Sequence, residues 1–107
     1  MAQFLLYKRP AEVIPYTADF TDLLPSDTEL DSTSKAQALD TADEDQTSFL
    51  VQSAIVTAGS KILTITLMNG LNGEDYTVYL NGVGATTKKL HSLILEVRVR
   101  SKIAGNL

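Results

Sequence analysis

The stretch Leu71-Asn72-Gly73-Glu74-Asp75-Tyr76-Thr77-Val78-Tyr79-Leu80 decides the fold class of this chain. It opens with an Asn-Gly pair, whose residues accept the positive φ angles of tight turns. After the turn, every second residue is apolar, so that Tyr76, Val78 and Leu80 share one face. A period of two with one apolar face is typical of a β-strand that is buried on one side. The stretch therefore predicts a turn followed by a β-strand.

The same alternation recurs on both sides of this stretch. Residues 61–67 place Leu63, Ile65 and Leu67 on one face. Residues 90–100 align four apolar side chains, which are Leu93, Leu95, Val97 and Val99. Residues 47–56 add a further apolar run, and glycine-containing turns separate these segments. Short strands with turn residues roughly every 8 to 12 positions predict an all-β sandwich or barrel.

The first 46 residues are less regular. They contain all the prolines of the chain, which are Pro10, Pro15 and Pro25. Because proline removes a ladder donor, it suits edge strands and connections. We predict strands over 13–20 and 28–39 and an exposed acidic loop over 41–46. A helix over 34–39 is an alternative, although about one and a half turns do not stand without packing.

The length of 107 residues allows one domain. We expect an antiparallel β-sandwich of about seven strands over residues 10–102, preceded by an extended arm over 1–9 and followed by a tail over 103–107. No stretch approaches the roughly 20 apolar residues that span a bilayer. Lys8 and Arg9 follow the apolar N-terminal run, whereas a secretory signal has its basic residues in front. We therefore expect no membrane partner.

The predicted arm carries four large apolar side chains, Phe4, Leu5, Leu6 and Tyr7. If the arm lies outside the sandwich, these side chains are available to a neighbouring subunit or to its sheet. They are the candidate partner-binding residues. The alternative is that this segment is simply the first strand of the domain.

Composition narrows the function classes. The chain has no cysteine, which excludes thiol catalysis and thiolate metal sites. Residues 19–45 contain nine acids and one base, whereas residues 88–102 contain five bases and one acid. These blocks suggest head-to-tail association of copies, with solvated surface charge as the alternative. The acidic balance of −4 disfavours nucleic-acid binding.

The chain offers little for catalysis. His91 is its one histidine, and no Gly-x-Ser-x-Gly nucleophile turn is present. Glu74 and Asp75 flank a turn and are interpreted as turn residues. The carboxylates of residues 40–45 could ligate calcium, but their spacing lacks the alternate-residue pattern of an EF-hand loop. We expect no enzyme activity, no cofactor and no metal.

The stretch around Tyr76 resembles the corner before the penultimate strand of immunoglobulin-like sandwiches. In such domains a tyrosine hydroxyl bonds to backbone a few residues upstream. The resemblance implies that Tyr76 is the corner residue, that Gly73 forms the turn and that Leu71 caps the core beneath it. The predicted fold is therefore an immunoglobulin-like antiparallel β-sandwich.

The order of parts over most of residues 8–101 resembles the small phage proteins described as fibre–tail adaptor or neck-type virion proteins. The features are a Pro/Asp-rich opening, an x-Tyr-x-x-Asp-aromatic strand, a Leu-x-x-x-Asp-Thr turn, a Gly-x-x-Tyr-x-Val corner and a Val/Arg terminal strand. The matching residues are Tyr16, Asp19, Phe20, Leu23, Asp27, Thr28, Gly73, Tyr76, Val78, Val97 and Arg98. The resemblance implies a structural protein of the virion, made in the host cytoplasm, with other virion proteins as partners and a homo-oligomer or ring in the particle.

Two alternatives stay open. A capsid decoration protein has the same requirements as a neck or tail adaptor, namely a stable sandwich and an exposed binding edge. A bacterial immunoglobulin-like module that binds surfaces or carbohydrate would need an exposed aromatic side chain. Tyr79, on the face opposite Tyr76, is the candidate for that role.

Overall fold

The structure, a computed structural model, describes residues 3–101. The predicted tail over 103–107 lies outside the described residues. The chain is mostly β with two sheets, as predicted. Its elements are β1 Gln3–Lys8, β2 Ile14–Asp19, β3 Lys35–Leu39, α1 Thr47–Leu50, β4 Val51–Val56, β5 Ile62–Leu67, β6 Asp75–Val83 and β7 Leu90–Val99.

The larger sheet has four strands in the order β1-β7-β6-β3. At its centre β6 and β7 form an antiparallel hairpin, paired from Asp75–Arg98 to Val83–Leu90. Strand β3 pairs antiparallel with β6, and β1 pairs parallel with β7. A parallel pair needs a long connection. Here the first and last strands of the described chain meet, so β1 and β3 are the two edges of this sheet.

The smaller sheet has three antiparallel strands in the order β2-β5-β4. The alternation seen in the sequence decides which side chains face inward. Leu63, Ile65 and Leu67 of β5 are fully buried, as are Val78 and Leu80 of β6 in the other sheet. These residues belong to a single hydrophobic cluster. The two sheets therefore turn their apolar faces to one shared core.

Two predicted strands are shorter in the structure. The strand expected over 28–39 forms only over Lys35–Leu39, with an isolated bridge between Leu30 and Gly84 upstream. Ala36 and Ala38 face the core with a period of two, which is a strand pattern, so the helical alternative over 34–39 is wrong. The strand expected over 47–56 begins with α1 instead, because the N–H groups of Phe49 and Leu50 donate to the Gln46 carbonyl.

The described part of the predicted arm is strand β1. Residues 3–8 pair with residues 94–99 in a regular parallel register. Leu6 packs against the core and Lys8 is fully buried. Of the two alternatives raised by the sequence, an arm outside the domain or a first strand, the structure has the strand. The physical reason is that β7 offers an unpaired edge and the core offers room for alternate side chains.

Candidate interaction surface

The two edges of the four-stranded sheet differ in what lies beside them. Strand β3 is covered at the C-terminal end of its outer edge, around Ala38 and Leu39, by the segment that follows it. The Gln46 N–H donates to the Ala38 carbonyl at 2.8 Å, and the Ala38 N–H donates to Thr47 Oγ1 at 2.9 Å. Both backbone groups of Ala38 are therefore satisfied from outside the sheet. An edge closed in this way is protected from pairing with another strand.

The acidic loop between β3 and α1 is held together by its own carboxylates. Asp40 accepts hydrogen bonds from the Ala42 and Glu44 N–H groups and from Gln46 Nε2, at 2.9 to 3.1 Å. These donors hold the pKa of Asp40 below its usual value. Among residues 3–101, no group of three or more acidic or histidine side chains is placed to hold a metal ion. The Asp40 and Asp45 carboxylates hold the backbone of this loop through their hydrogen bonds.

Strand β1, at the opposite edge, presents large apolar side chains. Seven such side chains are exposed in the described residues, and four of them lie between residues 4 and 13: Phe4 at 43%, Leu5 at 52%, Tyr7 at 44% and Val13 at 57%. We call Phe4, Leu5 and Tyr7 the β1 surface. It contains three of the four residues predicted as partner-binding. The fourth, Leu6, points inward to the core.

The β1 surface wraps around the sheet edge. Leu5 and Tyr7 lie on the outer face of the sheet, in register with Glu96 and Arg98 of β7. Arg98 Nη1 approaches the Tyr7 hydroxyl at 3.4 Å. Phe4 points the other way, and its ring lies 6.3 Å from that of Tyr16 at 54°. Because Tyr16 belongs to β2, the surface spans the seam between the two sheets.

A buried lysine fixes β1 in place. Lys8 is completely excluded from solvent, and its ammonium donates to the carbonyl oxygens of Arg9 and Asn69, at 2.7 and 2.5 Å. Burial lowers the pKa of Lys8, and the Glu12 carboxylate opposes that shift. Sequence reasoning missed this role. The available signal was the alternation Phe4, Leu6, Lys8, which places the lysine on the inward face.

The predicted corner has its parts around the start of β6. The Tyr76 hydroxyl oxygen accepts a hydrogen bond from the N–H of Leu71, which lies five residues upstream, at 3.2 Å. Gly73 takes a φ of +89°, which favours glycine, and its N–H donates to the Val99 carbonyl. The Leu71 side chain is 59% exposed. The expectation that Leu71 caps the core is therefore wrong, since this residue contributes backbone and not its side chain.

A second buried anchor, Asp27, was not recognised as such in the sequence. Its carboxylate accepts hydrogen bonds from the N–H groups of Thr86 and Thr87 and from the Thr87 hydroxyl, at 2.7 to 3.0 Å. These bonds hold the pKa of Asp27 below its usual value, with the Thr87 hydroxyl contributing most. A Cβ on Gly84 would clash with the Asp27 carboxylate, so only glycine fits there. Asp27 therefore ties the β2–β3 connection to the β6–β7 loop.

His91 and Tyr79, the single histidine and the candidate for sugar contact, are both half-buried. His91 lines a shallow cleft of about 470 Å³ with Leu23, Leu90 and Ser92. Asp27 lies in an adjoining cleft with His91, but its carboxylate is occupied by the hydrogen bonds from Thr86 and Thr87. Tyr79, the candidate for sugar contact, is half-buried on the outer face of the four-stranded sheet, in register with Gln37 and Ile94. No helix of residues 3–101 has the length and apolar character that crossing a membrane requires.

The two charge blocks of the sequence are in contact at one surface ion pair. Lys88 forms an ion pair with Asp31 at 2.9 Å, and Arg100 lies 3.0 Å from Asp75. Lys88 and Arg100 flank β7, and of their two partners only Asp31 belongs to the acidic block. Head-to-tail association of copies through the remaining charges of the two blocks stays a prediction. Lys102, a member of the basic block, lies outside the described residues.

A comparison with protein-family models and with curated proteins finds no match for this chain. Within residues 3–101 the fold is all-β with two sheets, and the four-stranded sheet has one edge covered at Ala38 of β3 and one edge, β1, that exposes apolar side chains.

Proposed function

We propose that this chain is a non-enzymatic immunoglobulin-like module that joins components of a tailed-phage particle through its β1 surface. The observation that carries the proposal is the concentration of exposed Phe4, Leu5 and Tyr7 on the open edge of the four-stranded sheet.

The strand order supports the immunoglobulin-like assignment. In constant-type immunoglobulin domains the third, sixth and seventh strands form one sheet, while the second, fifth and fourth belong to the other. The chain pairs β3, β6 and β7 in one sheet and β2, β5 and β4 in the other. The hydrogen bond between the Leu71 N–H and the Tyr76 hydroxyl, at the start of the sixth strand, is a further similarity.

The contrast between the edges supports binding at β1. Burial of a Phe, a Leu and a Tyr against a partner removes apolar area from water, at roughly 25 cal/mol per Å². Aromatic side chains are also enriched in the energetic centres of interfaces. Exposed apolar side chains on an open edge strand invite unwanted pairing unless a partner covers them. The β3 edge, by comparison, is covered by its own chain.

The virion setting rests on the resemblance of residues 8–101 to adaptor and neck-type phage proteins. The matching residues have structural roles that suit a rigid module, since Asp27 anchors two connections and Tyr76 bonds across a corner. In this setting the partners are other virion proteins or further copies of the chain in a ring. A capsid decoration protein would use the same surface on a different part of the particle.

The test is incorporation into particles by variants of the β1 surface. Cells producing the phage would express tagged wild type, the triple variant Phe4→Ser, Leu5→Ser, Tyr7→Ser, or a matched control. The control replaces three exposed apolar residues that lie elsewhere, as Ile55→Ser, Leu71→Ser, Leu90→Ser. We expect wild type and control to be present in purified particles and the β1 variant to be absent, with all three folded by circular dichroism.

Immuno-electron microscopy of the same particles then locates the tag. Label at the neck or tail supports the adaptor role, and label over the shell replaces it with capsid decoration. Equal incorporation of the β1 variant would overturn the assignment of the surface. Absence of wild type from every particle would overturn the virion role.

A further inference from the structure

We propose that β1 is an exchangeable strand, which leaves its place beside β7 and takes the same place in a second copy of the chain. We call the edge of β7 that β1 occupies the seat. After exchange, the seat holds residues 3–8 of another molecule. This inference rests on the contacts of β1 alone and holds whether or not the chain belongs to a virion.

The position of β1 allows it to leave without disturbing the remaining strands. Within residues 3–101, β1 pairs with β7 alone, and it is the last strand of its sheet. The central hairpin of β6 and β7, the β3–β6 pair and the smaller sheet make no ladder with it. Removal of β1 therefore opens one edge while the other ladders persist. Edge segments of this kind form local unfolding units.

The seat is specific for the chemistry of this strand. Its inner side accepts Leu6 at the core and an ammonium at Lys8, where the Asn69 carbonyl receives a hydrogen bond. At the backbone of the same residue, the Arg100 N–H donates to the Lys8 carbonyl at 2.9 Å. An apolar strand from an unrelated protein would leave the Asn69 carbonyl without this donor. The segment that fits the seat in register is residues 3–8 of an identical chain.

The seat also holds β1 less firmly than a core strand is held. Three of its large side chains, Phe4, Leu5 and Tyr7, keep roughly half of their surface in water. The loss of hydration at the Lys8 ammonium offsets part of the stabilisation that its two hydrogen bonds provide. By contrast, β5 buries Leu63, Ile65 and Leu67 completely. Strand β1 is therefore ordered by its ladder and by Lys8 more than by apolar burial.

A short connection provides the hinge. Residues 9–13 join β1 to β2, and their turn is closed by the Glu12 N–H to the Arg9 carbonyl at 3.1 Å. The Arg9 N–H donates to Glu12 Oε1 at 3.0 Å. Opening the turn breaks these two bonds and lets the five residues extend over about 17 Å. All other contacts of β1 re-form in the second copy, which is why exchange of an identical element is a low-cost route to association.

Engineered cysteines test the exchange cleanly because the chain has none of its own. Leu5 and Glu96 are register partners on the outer face, so adjacent cysteines there lie within the range that a disulfide spans. Leu5→Cys and Glu96→Cys would be made as separate variants, mixed at high concentration and oxidised gently. A mixture of Leu5→Cys with Ile55→Cys, an exposed site on the other sheet, reports random collision.

We expect the Leu5→Cys and Glu96→Cys mixture to form a covalent heterodimer severalfold more than the control mixture and more than Leu5→Cys homodimers. Contact between two intact β1 surfaces would instead favour the homodimer, which would overturn exchange. The control is a single chain that carries both Leu5→Cys and Glu96→Cys. Oxidation of this chain at high dilution should give an intramolecular disulfide, which shows that the two cysteines can react when β1 lies beside its own β7. If this disulfide forms and the mixture gives no heterodimer, β1 remains in its own chain and the inference is wrong. Neither result bears on incorporation into particles, so the two proposals fail separately.

Discussion

The two edge strands of the four-stranded sheet, β1 and β3, differ in what protects their outer backbone groups. An edge strand carries unpaired backbone groups that can pair with another chain. The β3 edge is closed at Ala38 by Gln46 and Thr47, and its exposed side chains are the polar Lys35 and Gln37. The β1 edge has no such cover in the described ladders and exposes apolar side chains. The β3 edge is therefore protected at its C-terminal end and by polar side chains, whereas the described part of the β1 edge has neither protection.

The inner faces of the two strands differ as well. Strand β3 points Ala36 and Ala38 at the core, and small side chains bury little area but let neighbouring segments approach. Strand β1 points Leu6 and Lys8 inward. An inward charge on an edge strand restricts which sequences can take its place. The place that β1 occupies beside β7 therefore accepts few other sequences.

The largest expected effect is at Lys8. Replacing it by alanine removes the buried stem and the donor to the Arg9 and Asn69 carbonyls. We expect the free energy of unfolding in urea to fall by about 2–4 kcal/mol. Lys8→Met keeps the stem and removes the buried charge, so its loss should stay within about 1 kcal/mol of wild type. If Lys8→Met lowers the free energy of unfolding as much as Lys8→Ala does, the hydrogen bonds of the ammonium hold β1, and the apolar stem does not.

The pKa of Lys8 adds a pH dependence to this pair of variants. Because burial lowers its pKa below the usual 10.5, the unfolded state holds its proton to higher pH than the folded state does. Stability of the wild type relative to Lys8→Met therefore rises as pH rises from the folded pKa toward 10.5. Urea unfolding of the wild type and of Lys8→Met at neutral and at alkaline pH measures the difference between their unfolding free energies. A constant difference would mean that the lysine is as well solvated in the fold as in the unfolded chain.

The next effect is on the covered edge. Thr47→Val keeps the shape of the side chain but leaves the Ala38 N–H without its acceptor. We expect a loss of about 1–2 kcal/mol in unfolding free energy, together with faster hydrogen exchange at the Ala38 amide. Thr47→Ser retains the hydroxyl and should exchange as the wild type does. Unchanged Ala38 exchange in the valine variant would mean that the cover does not close this edge.

Sequence patterns predicted the fold best where one face is apolar and the other is wet. This is the case for β5, β6 and β7, where Leu63, Val78 and Leu95 fall on buried faces. The edges were harder, because an edge strand buries fewer side chains and its pattern is weaker. Strand β1 fitted an arm equally well, since Phe4, Leu5 and Tyr7 are apolar yet exposed.

Buried polar anchors were the other limit of sequence reasoning. Lys8 and Asp27 are polar residues that belong on the surface by composition, and their partners lie about 60 positions away in the chain, at Asn69 and Thr87. Only the three-dimensional contact reveals that each is satisfied. The candidate β1 surface was predictable as a set of apolar residues, and the alternation in β1 indicates that Lys8 points inward, but its hydrogen-bond acceptor Asn69 could not be predicted.

The smallest expected effect is a loosening of the β3 cover in acid. Asp45 accepts hydrogen bonds from the Thr47 hydroxyl and N–H, at 2.6 and 2.9 Å, and these donors hold its pKa below the usual 3.8. A carboxyl whose pKa is lowered by folding stabilises the fold above 3.8 and loses that contribution as pH falls through the lower, folded value. We therefore expect the Thr47 amide signal in an NMR titration to shift in that acidic window. The β1 amides, which face no such carboxylate hydrogen bond in the described contacts, should shift less.

The control for this titration is the Asp45→Asn variant, which keeps an acceptor oxygen but does not titrate, so its Thr47 amide should be insensitive to acid. Asp40 titrates in the same direction and is followed separately at the Ala42 and Glu44 amides. If Thr47 in the Asp45→Asn variant still shifts with acid, the β3 cover responds to Asp40 and not to Asp45. If the β1 amide signals shift with acid as strongly as the Thr47 amide signal, the two edges are coupled. The contrast between the edges is then weaker than their contacts indicate.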